Sequence, residues 1–195
     1  MEKKPLIDFE TERLHIRSLT EGDKDAYMSL RINNSNFISV YSLEPKLADD
    51  VWECEFLSED DIYLAVTFKS SDEIIASASI QRYKENNIEL GYDVYKEYQK
   101  QGIASEILTG LVREAHQLFK NALLFVRIDK VNIASRRVAE KCGGKLIKNN
   151  DSQTINAIIS AVKKYSGTTA LSAETSSIIE KIKDSVCIYK MSQPR

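Results

Sequence analysis

The stretch Gln99-Lys100-Gln101-Gly102-Ile103-Ala104 joins a predicted strand to the longest predicted helix of the chain. After Gly102 the apolar residues recur every three or four positions, which is typical of a helix with one buried face. They are Ala104, Ile107, Leu108, Leu111, Val112, Ala115, Leu118 and Phe119. A glycine permits a tight turn, and the first turn of a helix presents unpaired N–H groups at the positive end of its dipole. The junction therefore predicts a cradle for an anion, best suited to phosphate, although a plain tight turn would give the same local signal.

Three strands are predicted before this junction, at residues 62–68, 74–83 and 88–94. Short polar turns join them, and strands joined in this way pair antiparallel. Further upstream, the pattern predicts a strand at 14–17, a helix through Tyr27 and a second helix after Pro45.

The segments after the long helix predict a parallel crossover. A nearly all-apolar strand at 123–128 is followed by a helix at 132–142 that stops at Gly143-Gly144. Residues 153–185 are predicted to form two more helices, and 186–191 a closing strand. We therefore expect a mixed α/β fold: an antiparallel meander followed by a parallel βαβα unit, with a helical insertion at 152–184 before the last strand. All of residues 1–195 are predicted to form one domain.

The composition excludes several functions. Lys plus Arg is 27 and Asp plus Glu is 29 among 195 residues, so the formal net charge is −2, and we expect neither nucleic acid nor a membrane as partner. Cys54, Cys142 and Cys187 are widely spaced and odd in number. They predict no metal site and no disulfide framework, as in a cytoplasmic protein.

Two motifs carry a resemblance to a known family. The pattern Gln-x-x-Gly-x-Ala at 99–104, placed between a strand and a long helix, resembles the pyrophosphate-binding motif of the GNAT N-acetyltransferases. About 30 residues later, the run 131–143 resembles that family's second signature, an Asn-x-x-Ser helix start. The opening Thr11-Glu12-Arg13-Leu14-His15-Ile16-Arg17 is similar to the branch that acetylates the N-termini of ribosomal proteins.

The resemblance implies acetyl-CoA as co-substrate, without a metal. Amides of the 101–104 turn would hold its pyrophosphate, the backbone near Tyr92 would pair with its pantetheine arm, and Asn132 would reach the thiol end. The cofactor-binding residues implied are Tyr92, Asp93, Val94, Gln99, Lys100, Gln101, Gly102, Ile103, Ala104 and Asn132.

Two catalytic residues follow from the same resemblance. Glu89 would be the base that frees the amine of its proton, and Ser135 would assist the thiolate leaving group. Many relatives use a tyrosine for the second task, but the corresponding residue here is Ala139. For Ser135 and Asn132 the alternative is plain helix capping, and for Glu89 it is an ordinary polar strand position.

The implied reaction is direct attack of a primary amine on the bound thioester. The acceptor is a small-molecule amine or a protein N-terminus. A non-catalytic acyl-CoA-binding sensor or scaffold and a longer acyl donor stay open as alternatives.

Eight acidic residues within 44–61 would steer a cationic acceptor or form a solvated helix face. The insertion at 152–184 would cover the acceptor cleft or form a homodimer contact.

Overall fold

The computed structural model describes residues 4–33, 46–82, 86–147 and 186–192. The predicted helical insertion at 152–184 lies outside these residues, so its helices, its role and the extent of the single domain stay predictions.

Eight strands and four α-helices make up the described chain. In order they are β1 (Asp8–Glu10), β2 (Leu14–Ser18), α1 (Lys24–Asn33), α2 (Lys46–Phe56), β3 (Asp61–Phe68), β4 (Ile74–Gln81), β5 (Asn87–Val94), α3 (Ile103–Leu118), β6 (Leu123–Asp129), α4 (Ile133–Lys141), β7 (Lys145–Leu146) and β8 (Val186–Met191). Short 3-10 turns precede α1 and α3.

All eight strands form one mixed sheet in the order β1-β2-β3-β4-β5-β6-β8-β7. The neighbours from β1 to β5 pair antiparallel, β5 and β6 pair parallel, and β8 runs antiparallel to both β6 and β7. The predicted meander, the parallel crossover through α3 and the mixed α/β class are thereby confirmed.

The two faces of the sheet are covered by different helices. The apolar stripe of α3 packs with alternate residues of β2 to β6, such as Leu64 and Leu90, in the main core. A smaller core joins α1 and α2, through Tyr27 and Trp52, to Ala65 on the opposite face of β3. Successive strand residues point to opposite faces, so this division determines the face to which each site residue belongs.

The sequence prediction differs from the structure at short elements. Strands β1 and β7 contain three and two residues and were not predicted, because so few residues show no periodicity. Strand β4 ends at Gln81, since Arg82 has a left-handed φ of +56°, which does not continue a strand. Among the described residues, no helix is both long enough and apolar enough to cross a membrane.

Candidate active site

The turn before α3 has the backbone shape of an anion cradle. Lys100 and Gly102 both have positive φ, +61° and +81°, and Gly102 is the residue that caps the start of α3. Because glycine has no side chain, no side-chain hydrogen bond caps this helix start. Its first N–H groups therefore remain available to a diphosphate, whose charge the helix dipole favours.

Two glutamine side chains in this turn form hydrogen bonds with backbone carbonyls just before it. Gln99 donates from Nε2 to the carbonyl of Val94 at 3.0 Å, and Gln101 donates from Nε2 to the carbonyl of Glu97 at 2.9 Å. These bonds occupy the side-chain amides with backbone carbonyls. The Gln99 main-chain N–H is occupied as well, since it donates to the Lys96 carbonyl at 3.3 Å. The binding role predicted for Gln101 rests on its main-chain N–H and stays a prediction, as does that of Gln99.

The sheet opens between β5 and β6, directly beside this turn. The two strands pair only at Asn87, Ile88 and Glu89, opposite residues 123–125. Beyond Glu89, β5 stays paired with β4 as far as Val94, while β6 pairs onward with β8. In this register residues 90–92 of β5 are not paired with β6, and an extended ligand can align beside them as an added strand.

Glu89 lies at the last paired position, where the strands part. Its alternation with Ile88 and Leu90, both in the main core, places its side chain on the α1 and α2 face. Glu89 is 7% exposed. One carboxylate oxygen accepts from Arg82 at 2.8 Å and the other from Arg127 at 3.2 Å. Arg127 is on β6, so this carboxylate also joins the two strands at the point of separation.

The start of α4 lies on the opposite face. Asn132 caps the helix, since its Oδ1 accepts from the Ser135 N–H at 3.0 Å. The Tyr92 hydroxyl reaches the same turn from β5 and donates to the Ser135 carbonyl at 3.4 Å. Burial raises the pKa of Tyr92 to about 12, so its hydroxyl keeps its proton at neutral pH and can serve as a donor.

Comparison with known proteins decides the family. The sequence profile of the "Acetyltransferase (GNAT) domain" matches residues 13–145, more than half of the chain, and covers both the 99–104 turn and the start of α4. The chain belongs to the GNAT acetyltransferase family. No curated protein sequence gives a significant match.

Solved structures of GNAT acetyltransferases show the same fold at low identity. An acetyltransferase from Agrobacterium tumefaciens is 18% identical, with a TM-score of 0.65, and the match covers 99% of this chain and 98% of that one. The spermidine N-acetyltransferase of Vibrio cholerae, solved in complex with CoA and spermine, is 17% identical with a TM-score of 0.58, covering 69% and 82%. A Vibrio cholerae protein assigned as a ribosomal-protein-serine acetyltransferase is 18% identical, with a TM-score of 0.58, covering 73% and 85%.

This GNAT acetyltransferase brings most of its predicted site residues into three groups; Asp93 and Val94 lie at the end of β5, where Val94 packs in the main core. The first is the turn at 99–104, and the second is Tyr92 with Asn132 and Ser135. The third is Glu89, which lies across the sheet from Ser135. A thioester placed in the opening between β5 and β6 would have the second group on one side and Glu89 on the other. The roles of all these residues stay predictions.

Arg82 and Arg127 are site residues that sequence reasoning missed. Arg82 is 5% exposed, and its guanidinium lies 5.3 Å from the ring centroid of Phe125. Arg82 directly follows β4 and Arg127 lies on β6, and no spacing in the sequence relates either one to Glu89. A buried glutamate opposite two arginines is therefore visible only once the sheet register is known.

The acidic stretch 44–61 is only partly available to a cationic acceptor. Glu55 is buried and accepts from the Tyr27 hydroxyl and from Arg31, each at 2.7 Å. Burial raises the pKa of Asp61 above its ordinary value, although its contact with the Arg82 backbone N–H acts in the opposite direction. Because these two carboxylates have internal partners, they contribute less to steering a cationic acceptor than the count of eight acidic residues implied.

Within the described ranges, no group of three or more His, Cys, Asp or Glu residues could hold a metal ion.

Proposed function

We propose that this GNAT acetyltransferase transfers the acetyl group of acetyl-CoA to a primary amine by direct attack. The observation that carries the proposal is the helix start at Gly102, which no side chain caps and which lies beside an opening in the sheet. A diphosphate on those amides orients a pantetheine arm along β5, and that arm delivers its thioester to the place where β5 and β6 part.

The proposed reaction needs a proton acceptor on the amine side. An alkyl ammonium is protonated at neutral pH, so it must lose a proton before its lone pair can attack the thioester carbonyl. Glu89 is the proposed acceptor, through a bridging water. Each of its oxygens accepts from one guanidinium and retains a second lone pair for that water.

The proposed leaving group departs on the α4 side of the sheet. As the new N–C bond forms and the C–S bond breaks, the nitrogen loses a second proton and the departing thiolate takes one up, so that the products are a neutral amide and a free thiol. The Ser135 hydroxyl is the proposed donor. The protonated Tyr92 hydroxyl at the same turn is a second O–H group near this place.

The proposed acceptor is a small amine or a protein N-terminus. The structural neighbour in complex with spermine and the neighbour assigned to a ribosomal protein support testing both kinds. Acetyl-CoA should be incubated with spermidine, an amino sugar, a free amino acid and peptides with unblocked N-termini, while release of free thiol is followed.

We expect thiol release with at least one amine, with a KM for acetyl-CoA in the usual range of about 1 μM to 1 mM. If no thiol is released, CoA binding measured by titration calorimetry shows whether the reaction or the cofactor site was wrongly proposed. Binding without turnover on any amine would reject amine acetylation and favour an acyl-CoA sensor. No CoA binding would reject the site itself.

A further inference from the structure

A small network connects the β1–β2 hairpin to the start of α3. Glu106, in the first turn of α3, accepts from the Thr11 hydroxyl at 2.6 Å, from the Arg13 backbone N–H at 2.7 Å and from Arg13 Nε at 2.7 Å. The hairpin can approach this closely because of Gly110. A Cβ built there would lie only 2.9 Å from atoms of Phe9 and Thr11.

The Arg13 guanidinium also reaches the anion-binding turn. Its Nη1 donates to the carbonyl of Gln101 at 3.1 Å, and its Nη2 lies 3.6 Å from the position that a Cβ on Gly102 would occupy. One rigid planar group therefore holds the first turn of α3 and the carbonyl just before Gly102 at the same time. Fixing that carbonyl restricts rotation of its own peptide unit, whose N–H is that of Gly102 and belongs to the proposed cradle.

The same contact settles an electrostatic conflict. A carboxylate one turn into α3 would repel a diphosphate bound at the helix start. Burial alone would raise the pKa of Glu106, but hydrogen bonds from Thr11 and Arg13 keep it below its ordinary value. The charge is therefore present at neutral pH, and the Arg13 guanidinium neutralises it next to the cradle.

We propose that Arg13 is a positioning residue for the diphosphate of acetyl-CoA. It acts through Gln101 and Glu106 by holding the 101–104 amides in a binding-competent arrangement. The inference rests on the proposed function, because it requires acetyl-CoA to bind at this turn. The Arg13 side chain is 42% exposed, and exposed ion pairs contribute little to stability. The main effect of losing it should therefore fall on cofactor binding and not on unfolding.

The test compares three variants. Arg13→Gln removes both the positive charge and the planar guanidinium. Arg13→Lys keeps the charge but not the planar set of N–H donors. Arg113→Gln is the matched control. Arg113 also connects α3 to the hairpin, through the Glu10 carbonyl at 2.9 Å, but it lies about 15 Å along the helix from Ile103 at 1.5 Å per residue.

For Arg13→Gln we expect the Kd for CoA and the KM for acetyl-CoA to rise about tenfold, with kcat retained, because diphosphate contacts are equal in the ground and transition states. With S-acetylpantetheine, which has no diphosphate, kcat/KM should stay within about twofold. Arg13→Lys should recover only a small part of the loss, and Arg113→Gln should match the wild type throughout.

Three results would overturn the inference. They are an unchanged Kd for CoA in Arg13→Gln, a full recovery in Arg13→Lys, and an equal loss with both donors accompanied by a lower kcat. A wild-type protein that does not bind CoA would instead refute the proposed function, before any variant is considered.

Discussion

Replacing Gly102 with alanine tests the anion cradle most directly. Gly102 has φ = +81°, a conformation that costs an L-residue roughly 1–2 kcal/mol. The added methyl group itself would meet only Arg13 Nη2, at an ordinary contact distance of 3.6 Å. Backbone strain is therefore the whole expected effect of the substitution.

The turn is exposed from Lys100 to Gly102, so the ligand-free variant can relieve the strain by rearranging. Binding must then restore the strained conformer, and 1–2 kcal/mol corresponds to a Kd about 5- to 30-fold higher. Titration calorimetry with CoA measures that Kd for Gly102→Ala and for the wild type.

Gly143→Ala is the matched control for this measurement. Gly143 also has φ = +81°, and a Cβ there would meet nothing within 4 Å, but it follows α4 and is not part of the 99–104 turn. We expect this variant to lose up to about 2–8 °C in its thermal midpoint and to bind CoA as the wild type does. If Gly102→Ala also binds CoA with wild-type affinity, the amides around Gly102 do not form the cradle.

Three further predictions concern the reaction and the pH dependence of stability. Glu89→Gln should lower kcat/KM by about 10²–10⁴-fold while the Kd for CoA is retained; an unchanged kcat/KM would leave Glu89 a purely structural link between β5 and β6. Ser135→Ala should lower kcat by about tenfold, less than a full general acid contributes, with Tyr92→Phe as the parallel test of the neighbouring hydroxyl; wild-type kcat in both would exclude hydroxyl assistance from this turn. Because the pKa of Glu106 is lower in the folded protein, its contribution to stability is complete above its ordinary value of 4.5 and is lost as the pH falls through the folded value. A plot of thermal midpoint against pH should therefore fall less steeply in acid for Glu106→Gln, and parallel curves would show that the contact does not affect stability.

Elements with a strong period were predictable from the sequence. The stripe after Gly102 predicted α3, and the final strand at 186–191 was found at the predicted residues. The short polar turn between the predicted strands at 74–83 and 88–94 correctly predicted the antiparallel pairing of β4 and β5. These features depend on local patterns, which a single sequence displays directly.

The contacts within the site were not predictable in the same way. Arg13 and Glu106 are 93 residues apart in the chain, and Arg127 and Glu89 are 38 apart. Such pairs follow from sheet register and from the close packing of a hairpin on a helix at Gly110, neither of which has a local signal. Glu55 shows the converse, since its charge was evident in the sequence but its internal partners were not.

The short parallel contact between β5 and β6 makes the sheet two antiparallel half-sheets that share a seam of three residue pairs. A cofactor arm lying along 90–94 would contact both half-sheets. Binding would therefore stabilise the fold as well as supply a reactant. At a CoA concentration 100 times its Kd, this linkage adds about 2.7 kcal/mol to the free energy of unfolding. Slower amide hydrogen exchange on both sides of the seam would be its signature.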